Sequence, residues 1–250
     1  MTIENFIKRA LKEDIQDGDH TSMSTIPIDA RGKMQLLVKQ DGIIAGINIA
    51  QQIIHIHDPD ISIRLLKNDG SFVTKGEVVF ILEGRVWSLL SVERLLLNFM
   101  QRMSGIATFT RSLVDKISDL PTKILDTRKT TPNFRVFEKM AVNIGGGLNH
   151  RFGLYDMILI KDNHVDFAGG IKEALFASKS YLEKNNLSLK IEIEVRNLTE
   201  LKQALETKIM HRVMFDNFSP ELMKQAIEIV DNQCETEASG MINASNIRSY

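Results

Sequence analysis

One cysteine, Cys234, stands in 250 residues. No disulfide can form within the chain, and a reducing compartment, the cytoplasm, is the expected setting. No apolar run approaches the length needed to span a membrane. The N-terminus does not read as a secretory signal. Ile3, Phe6, Ile7, Ala10 and Leu11 recur at helical spacing with charges between them, the pattern of an amphipathic helix lying on a core. The formal net charge is −1, so nothing global points to a nucleic acid or an acidic membrane as partner. GxGxxG after a strand, Walker A and GxSxG are all missing, and no His/Cys cluster has zinc spacing. "HIHD" at 55–58 resembles a metal motif superficially, but it falls in a helical stretch. His20, in "DGDHTS", reads as a loop residue. Cys234 has no evident base beside it, which leaves nucleophilic catalysis without support.

The chain changes character near residue 105, which suggests an N-terminal α+β sandwich domain over 1–105 and a (β/α) barrel domain over 106–250. The first part carries short β patterns, "KMQLLVKQDGIIAG" and "ISIRLLKNDGSFVTKGEVVFILEGRV", around a helical "IAQQIIHIHDP". A long helical stretch follows, "SVERLLLNFMQRMSGIATFTRSLVDKI", with an expected interruption at Ser104-Gly105. Leu95, Phe99 and Met103 make its apolar side, while Arg94, Asn98 and Arg102 recur every four residues on another. That polar face is either solvated or offered to a partner subunit. Beyond Pro121, β-type runs at "TKILD", "MILIK", "KIEIEV", "RVMFD" and "ETEAS" alternate, in the later part, with helical stretches. Alternating βα units imply a parallel sheet. Polar groups stand at several separate strand ends: Asp126 to Lys129, Lys161 to His164, Glu194, Asp216-Asn217 and Ser239-Gly240. Convergence from many strand ends suits a barrel better than a doubly wound sheet.

Charge is unevenly placed. Between Thr127 and Lys161 there are six Lys/Arg against two acidic residues, Glu138 and Asp156. Arg pairs bidentately with carboxylate or phosphate, and Lys adds a mobile point charge. The set Arg128, Lys129, His150, Arg151 and Lys161 therefore suits a small ligand carrying both groups, although any one of these residues alone reads as a solvated rim. In "KIEIEV" the alternation puts Glu192 and Glu194 on one face. Carboxylates among cations could be charge compensation, or could hold Mg²⁺, which favours one or two carboxylates plus substrate phosphates. The glycines of "NIGGGLNHRFG" could let backbone amides approach a ligand or could form a flexible turn.

The blocks "EDIQDGDHTS", "VERLLLNFMQRMSGIAT", "LDTRKTTPNFRVFEKMAV", "GGGLNHRFGLYDMILIKDNH", "IEIEV", "VMFDNF" and "EASG", in this order, resemble those of the quinolinate phosphoribosyltransferase family, also called nicotinate-nucleotide pyrophosphorylase (carboxylating). The resemblance implies transfer of a phosphoribosyl group from 5-phosphoribosyl 1-pyrophosphate to quinolinate, with decarboxylation to nicotinate mononucleotide and with Mg²⁺ as cofactor. It implies that Arg128, His150, Arg151 and Lys161 bind quinolinate, together with Thr127 and Lys129 of the same loop. Arg94 would be lent to the neighbouring site of a homodimer, Glu194 and Asp216 would lie near the ribose and its magnesium, and Ser239 and Gly240 would open a 5-phosphate loop. Lys129, Lys161, Glu194 and Asp216 form the catalytic set on this reading. Two departures stand out. Met241 occupies the place of a second family glycine, and the sequence stops at Tyr250, where the family continues through a helix and a strand. A barrel truncated at its C-terminal end and short of a closing element is the expectation. The competing readings are an inactive, quinolinate-binding homologue, a related transferase acting on another small anion, and a lipoyl-type carrier hairpin in "DGSFVTKGEVVFILEG". That hairpin lacks the lysine-bearing turn such carriers modify.

Overall fold

Two buried cores divide the chain, one formed by residues up to Asn149 and one by residues from His150 on. The structure, a computed structural model, describes residues 2–250.

In the first unit, helix α1 (Ile3–Ile15) buries Ile7 and Leu11 and is capped by Thr2, whose hydroxyl accepts from Asn5 N at 3.2 Å. The short α2 (His20–Thr25) follows, capped by Asp19, so His20 opens a helix and does not lie in a loop. Strands β1 (Arg31–Leu37), β3 (Ser62–Leu65) and β5 (Val78–Arg85) form an antiparallel sheet in the order β1-β5-β3; β2 (Gly42–Ile43) pairs with β4 (Phe72–Val73). Helices α3 (Ile47–His57) and α4 (Val86–Val114) pack in the same core.

At 29 residues, α4 is about 43 Å long. It runs unbroken through Ser104-Gly105, contrary to the expected interruption. Ser104 serves a close approach, whereas a Cβ on Gly105 would meet nothing within 4 Å. Ser104 Oγ accepts from Ala45 N at 2.9 Å and donates to Ala45 O at 3.2 Å; one turn on, Thr108 Oγ1 accepts from Ile43 N at 2.9 Å. These bonds tie the short β2 segment to the helix. The helical cost of one glycine, about 1 kcal/mol, does not break a helix of 29 residues. Helix α5 (Arg135–Ile144) completes the unit. Phe134 and Phe137 join Phe6 and Phe99 in a ring cluster with centroid separations of 4.8 to 6.0 Å. The "TKILD" run does not form a strand. It contributes a single parallel bridge, Leu125 with Leu148.

In the second unit, β6 (Ile158–Ile160), β7 (Ile191–Val195), β8 (Arg212–Asp216) and β9 (Glu235–Ser239) form a parallel sheet in sequential order. Between them run α6 (Asp162–Ala168), α7 (Ile171–Lys184), α8 (Leu198–Thr207) and α9 (Pro220–Val230). Each strand lies beside its predecessor with no reversal of order, as in an arc of a (β/α) barrel; a doubly wound sheet would reverse at a switch point. The register sorts the side chains. Ile158, Ile160, Ile191, Ile193, Val195, Val213 and Phe215 pack in the helix-facing core. The opposite face, by alternation, carries Leu159, Glu192, Glu194, Arg212, Met214, Asp216, Glu235, Glu237 and Ser239. A row of charges on the inner face of a parallel sheet is costly unless it is paired. Its pairing organises the site.

Candidate active site

The loop Asp126–Phe134 of the first unit is held from below by two ion pairs, one buried and one between a buried glutamate and an exposed arginine. Lys139, on α5, is 2% exposed and donates to Asp126 Oδ1 at close range; Asp126 is itself 7% exposed. With its amide turned so that the nitrogen faces acceptors, Asn149 donates to Asp126 Oδ2 at 2.7 Å and to Lys139 O at 3.0 Å. Glu138, also buried, accepts from Arg102 Nε (2.9 Å), Arg102 Nη2 (2.6 Å), Thr131 N (3.1 Å) and Thr131 Oγ1 (2.8 Å). Burial pushes the Glu138 carboxyl up, but the bonds from Arg102 and Thr131 prevail and leave it below its ordinary value. Arg135 Nε donates to Thr130 Oγ1 at 3.0 Å, and Thr127 Oγ1 accepts from Lys129 N at 3.0 Å. The threonines and Arg135 thus shape the loop. Arg128 is half-buried, with its Nε lacking a hydrogen-bond partner, while Thr127 and Lys129 are exposed. Arg94 is exposed on α4, on the same face as Asn98 and Arg102.

Gly145 and Gly147 follow α5 for a third reason, neither ligand approach nor flexibility. A Cβ on Gly145 would lie 2.6 Å from Ala107 O, and one on Gly147 would lie 2.8 Å from Val142 Cγ1. They let the chain turn closely against α4.

The second unit holds the other site residues, in two layers on the inner face of its sheet. In the outer layer Lys161 Nζ donates to Glu194 Oε2 at 2.6 Å, and Asp216 Oδ2 accepts from Asn217 Nδ2 at 2.8 Å. Lys161 sits where β6 gives way to α6, its backbone N–H donating to His164 Nδ1 at 2.9 Å. Ser239 ends β9, and its carbonyl accepts from Asn217 N at 2.9 Å. Gly240 has φ +93°, and a Cβ there would lie 2.2 Å from Asn217 Oδ1, so only glycine fits. Met241, also at positive φ (57°), is 83% exposed; its side chain points to solvent, and the backbone conformation accounts for a glycine preference at this position.

In the inner layer His150 Nε2 lies 2.8 Å from Glu192 Oε2 and 3.4 Å from Glu237 Oε2; Arg212 Nη1 lies 3.1 Å from Glu237 Oε2 and 3.8 Å from Glu192 Oε2. Arg151 Nη1 donates to Met157 O at 3.4 Å. Apart from Arg151, the second-unit residues expected from sequence stand at or under the outer rim of one sheet face. Arg94, Thr127, Arg128 and Lys129 belong to the first unit.

Comparison with known proteins gives this geometry a lineage. The quinolinate phosphoribosyltransferase C-terminal domain matches residues 106–250, and the N-terminal domain of the same family matches 19–104. The chain belongs to the quinolinate phosphoribosyltransferase family. A Nicotiana tabacum protein named quinolinate phosphoribosyltransferase [decarboxylating] 1b is 41% identical over 98% of this chain and 74% of its own length. A chloroplastic nicotinate-nucleotide pyrophosphorylase [carboxylating] of Arabidopsis thaliana is 42% identical over 96% of this chain and 73% of its own. Among solved structures, NadC from Streptococcus pyogenes superposes with a TM-score of 0.93 at 36% identity, covering 98% of this chain and 85% of that one. The nicotinate-nucleotide pyrophosphorylase of Francisella tularensis gives 0.92 at 39%, covering 99% and 86%. The family domains meet near residue 105, whereas the compact units divide after Asn149. The difference is the stretch ending in α5, whose Phe137 and Ala141 are buried in the first core.

For the Mg²⁺ that the family resemblance implies, Glu194 and Asp216 offer two carboxylates at the ends of neighbouring strands on one face. That donor set fits an ion which takes one or two protein carboxylates and completes its shell with water and substrate phosphates. "HIHD" at 55–58 serves packing. His57 Nε2 lies 2.9 Å from Ser91 Oγ, and Asp58 Oδ2 accepts from Arg85 Nη2 at 2.9 Å. Glu237, Arg212 and Lys139 were missed as contributors by sequence reasoning. The one available signal was alternation in "ETEAS", which puts Glu235, Glu237 and Ser239 on a common face.

Proposed function

We propose that this chain transfers the phosphoribosyl group of 5-phosphoribosyl 1-pyrophosphate to the ring nitrogen of quinolinate, with loss of the 2-carboxylate as CO₂, giving nicotinate mononucleotide and pyrophosphate. The observation that carries this reading is the identity of about two residues in five to enzymes named for that reaction, over nearly the whole chain. Arg128, His150, Arg151 and Lys161 hold the dicarboxylate, with Thr127 and Lys129 of the loop; Ser239 and Gly240 take the 5-phosphate. Departure of pyrophosphate leaves positive charge on the ribose ring, and the carboxylates of Glu194 and Asp216 stabilise it there. Lys161, already bonded to Glu194, and Lys129 supply the positive charge that orients the anions. Glu194 and Asp216 would hold Mg²⁺, directly or through water, and the bound ion would offset charge gathering on pyrophosphate. No covalent nucleophile is required.

The exposed face of α4 with Arg94 and Asn98 supports a homodimer in which Arg94 serves the neighbouring subunit's site. Among the described residues no helix is long and apolar enough to cross a membrane, and the lone cysteine favours a reducing compartment, the cytoplasm. The plant relatives include chloroplastic and mitochondrial proteins. The reading is tested by incubating the protein with quinolinate, 5-phosphoribosyl 1-pyrophosphate and Mg²⁺ and separating products by chromatography. Nicotinate mononucleotide appearing only with all three is the expected result; its absence refutes the proposal.

A further inference from the structure

Lys161 reaches Glu194 with a long side chain, and where its ammonium arrives depends on how its backbone is held. Nζ lies 2.6 Å from Glu194 Oε2, but the side chain is 45% exposed, so nearly half of it is free of packing. What can be fixed is the backbone it springs from. Lys161 stands between β6 and α6 in an extended conformation, φ −103° and ψ 169°. Ile158 N donates to Lys190 O at 3.0 Å, on the β7 side. Successive N–H groups of a strand point to opposite edges, so the Lys161 N–H, three residues on, points away from β7. His164, the third residue of α6, takes it: Nδ1 accepts from Lys161 N at 2.9 Å. Glutamate or glutamine ordinarily closes a helix start in this way. A glutamate here would add a carboxylate beside a lysine already paired with Glu194, whereas a neutral ring nitrogen accepts the bond without charge. The ring is exposed, so core packing gives no reason for it. Nor does α6 depend on this bond for its place. Val165 is buried in the second core, and Asp166 accepts from Arg196 Nη2 at 3.1 Å and Nη1 at 3.3 Å, two residues beyond Glu194.

We propose that His164 is a positioning residue for Lys161: by accepting the Lys161 backbone N–H it fixes the turn from which the lysine reaches Glu194 and the bound anions. The inference rests on the functional reading above for the reaction Lys161 serves, but not for the hold on the turn. His164 acts through Lys161 and need not touch the substrate. Without the ring, the N–H at the end of β6 loses its acceptor, and the turn gains freedom where the site needs precision. A displacement of about 1 Å at a positioned group is enough to cost two orders of magnitude in rate.

Two measurements test this, on His164→Leu, His164→Gln, Lys161→Ala and the double variant Lys161→Ala/His164→Leu in the full chain. The first is amide hydrogen exchange at residue 161, read by NMR. His164→Leu should speed it about tenfold or more while the β7 amides keep their protection, and His164→Gln, which restores an acceptor, should return it towards wild type. The second is steady-state turnover. His164→Leu should lower kcat/KM for quinolinate about 10- to 100-fold, and His164→Gln should recover it to within about fivefold of wild type. In the Lys161→Ala background the same leucine change should cost less than about threefold, because the side chain it positions is gone. Unchanged exchange at Lys161 in His164→Leu overturns the inference. So does a loss of turnover that is as large without the lysine as with it. If the wild-type protein forms no nicotinate mononucleotide, the functional reading fails, and the exchange comparison still decides whether His164 holds the turn.

Discussion

Replacing Lys139 by Met should cost about 3–5 kcal/mol, because it takes the ammonium away from a buried carboxylate. Lys139 and Asp126 are 2% and 7% exposed and in direct contact, so the pair lies almost wholly outside water. A methionine fills most of the lysine's volume, which keeps the cavity contribution small. What remains is the charge of Asp126, which keeps the Asn149 amide at 2.7 Å but loses its ammonium. Asp126→Asn leaves the converse problem, a buried ammonium beside a neutral amide, and should cost a similar amount. The double substitution removes both charges together and should cost less than the sum by about 3 kcal/mol, since neither charge then remains without its opposite. Folded domains are stable by only about 5–15 kcal/mol, so each single change should shift the urea midpoint visibly. The assay is urea unfolding followed by far-ultraviolet circular dichroism at neutral pH on the four members of the cycle. A Lys139→Met cost below about 1 kcal/mol, or strict additivity, would refute the claim that this pair is charged and buried. Because Asp126 leads directly into Thr127, Arg128 and Lys129, the single variants should also lose turnover in proportion to the loosening of the loop.

Arg128→Ala and Lys161→Ala should each lower turnover by about 10²–10³ with unchanged circular dichroism; near-wild-type rates would remove either residue from the site. Glu237 carries a pH signature. The folded state raises its carboxyl from 4.5 to about 7, so the folded form binds the proton more tightly, and the stabilisation is complete below the lower value and lost as pH rises through the upper one. The loss amounts to about 3 kcal/mol. Unfolding wild type and Glu237→Gln at about pH 5 and about pH 8 should show it as a difference confined to wild type; parallel curves would contradict it. Glu138 runs the other way. Its carboxyl is held below the ordinary value, so stability is lost as pH falls through the folded value, and Glu138→Gln should abolish that acid-side loss in the same titration. Gly240→Ala must push the backbone away from Asn217 and should reduce turnover about 100-fold, whereas Met241→Gly, at an exposed position, should be tolerated in a steady-state assay.

Much of the second unit was legible because a parallel strand announces itself by an apolar run with polar residues at its end. "KIEIEV" fixed which face would carry Glu192 and Glu194, and the register bears this out. Lys161, Asp216 and Ser239 stand where the strand-end argument puts them. Three features were misread for local reasons. "TKILD" has strand composition but finds only one bridge, at Leu125. Ser104-Gly105 looks like a helix breaker in one dimension, and only the approach of Ala45 shows why a serine sits there. His20 looked like loop until the Asp19 cap, which accepts from Ser22 N at 3.1 Å, turned its stretch into a helix. The ion pairs beneath the loop and beneath His150 were invisible from sequence, because partners such as Arg102 and Glu138, or His150 and Glu192, lie dozens of residues apart. No local pattern encodes that distance. The loop's charge was legible. The division of labour within it, with Arg135 and the threonines shaping the backbone around Arg128, was not.

The most direct test of the central claim follows the carboxylate that leaves. Quinolinate labelled in its 2-carboxyl group is incubated with the protein and Mg²⁺, with and without 5-phosphoribosyl 1-pyrophosphate, and labelled CO₂ is counted against pyrophosphate. The account predicts release of both in equal amounts, and only when the phosphoribosyl donor is present. Pyrophosphate without CO₂, or CO₂ without the donor, would contradict it.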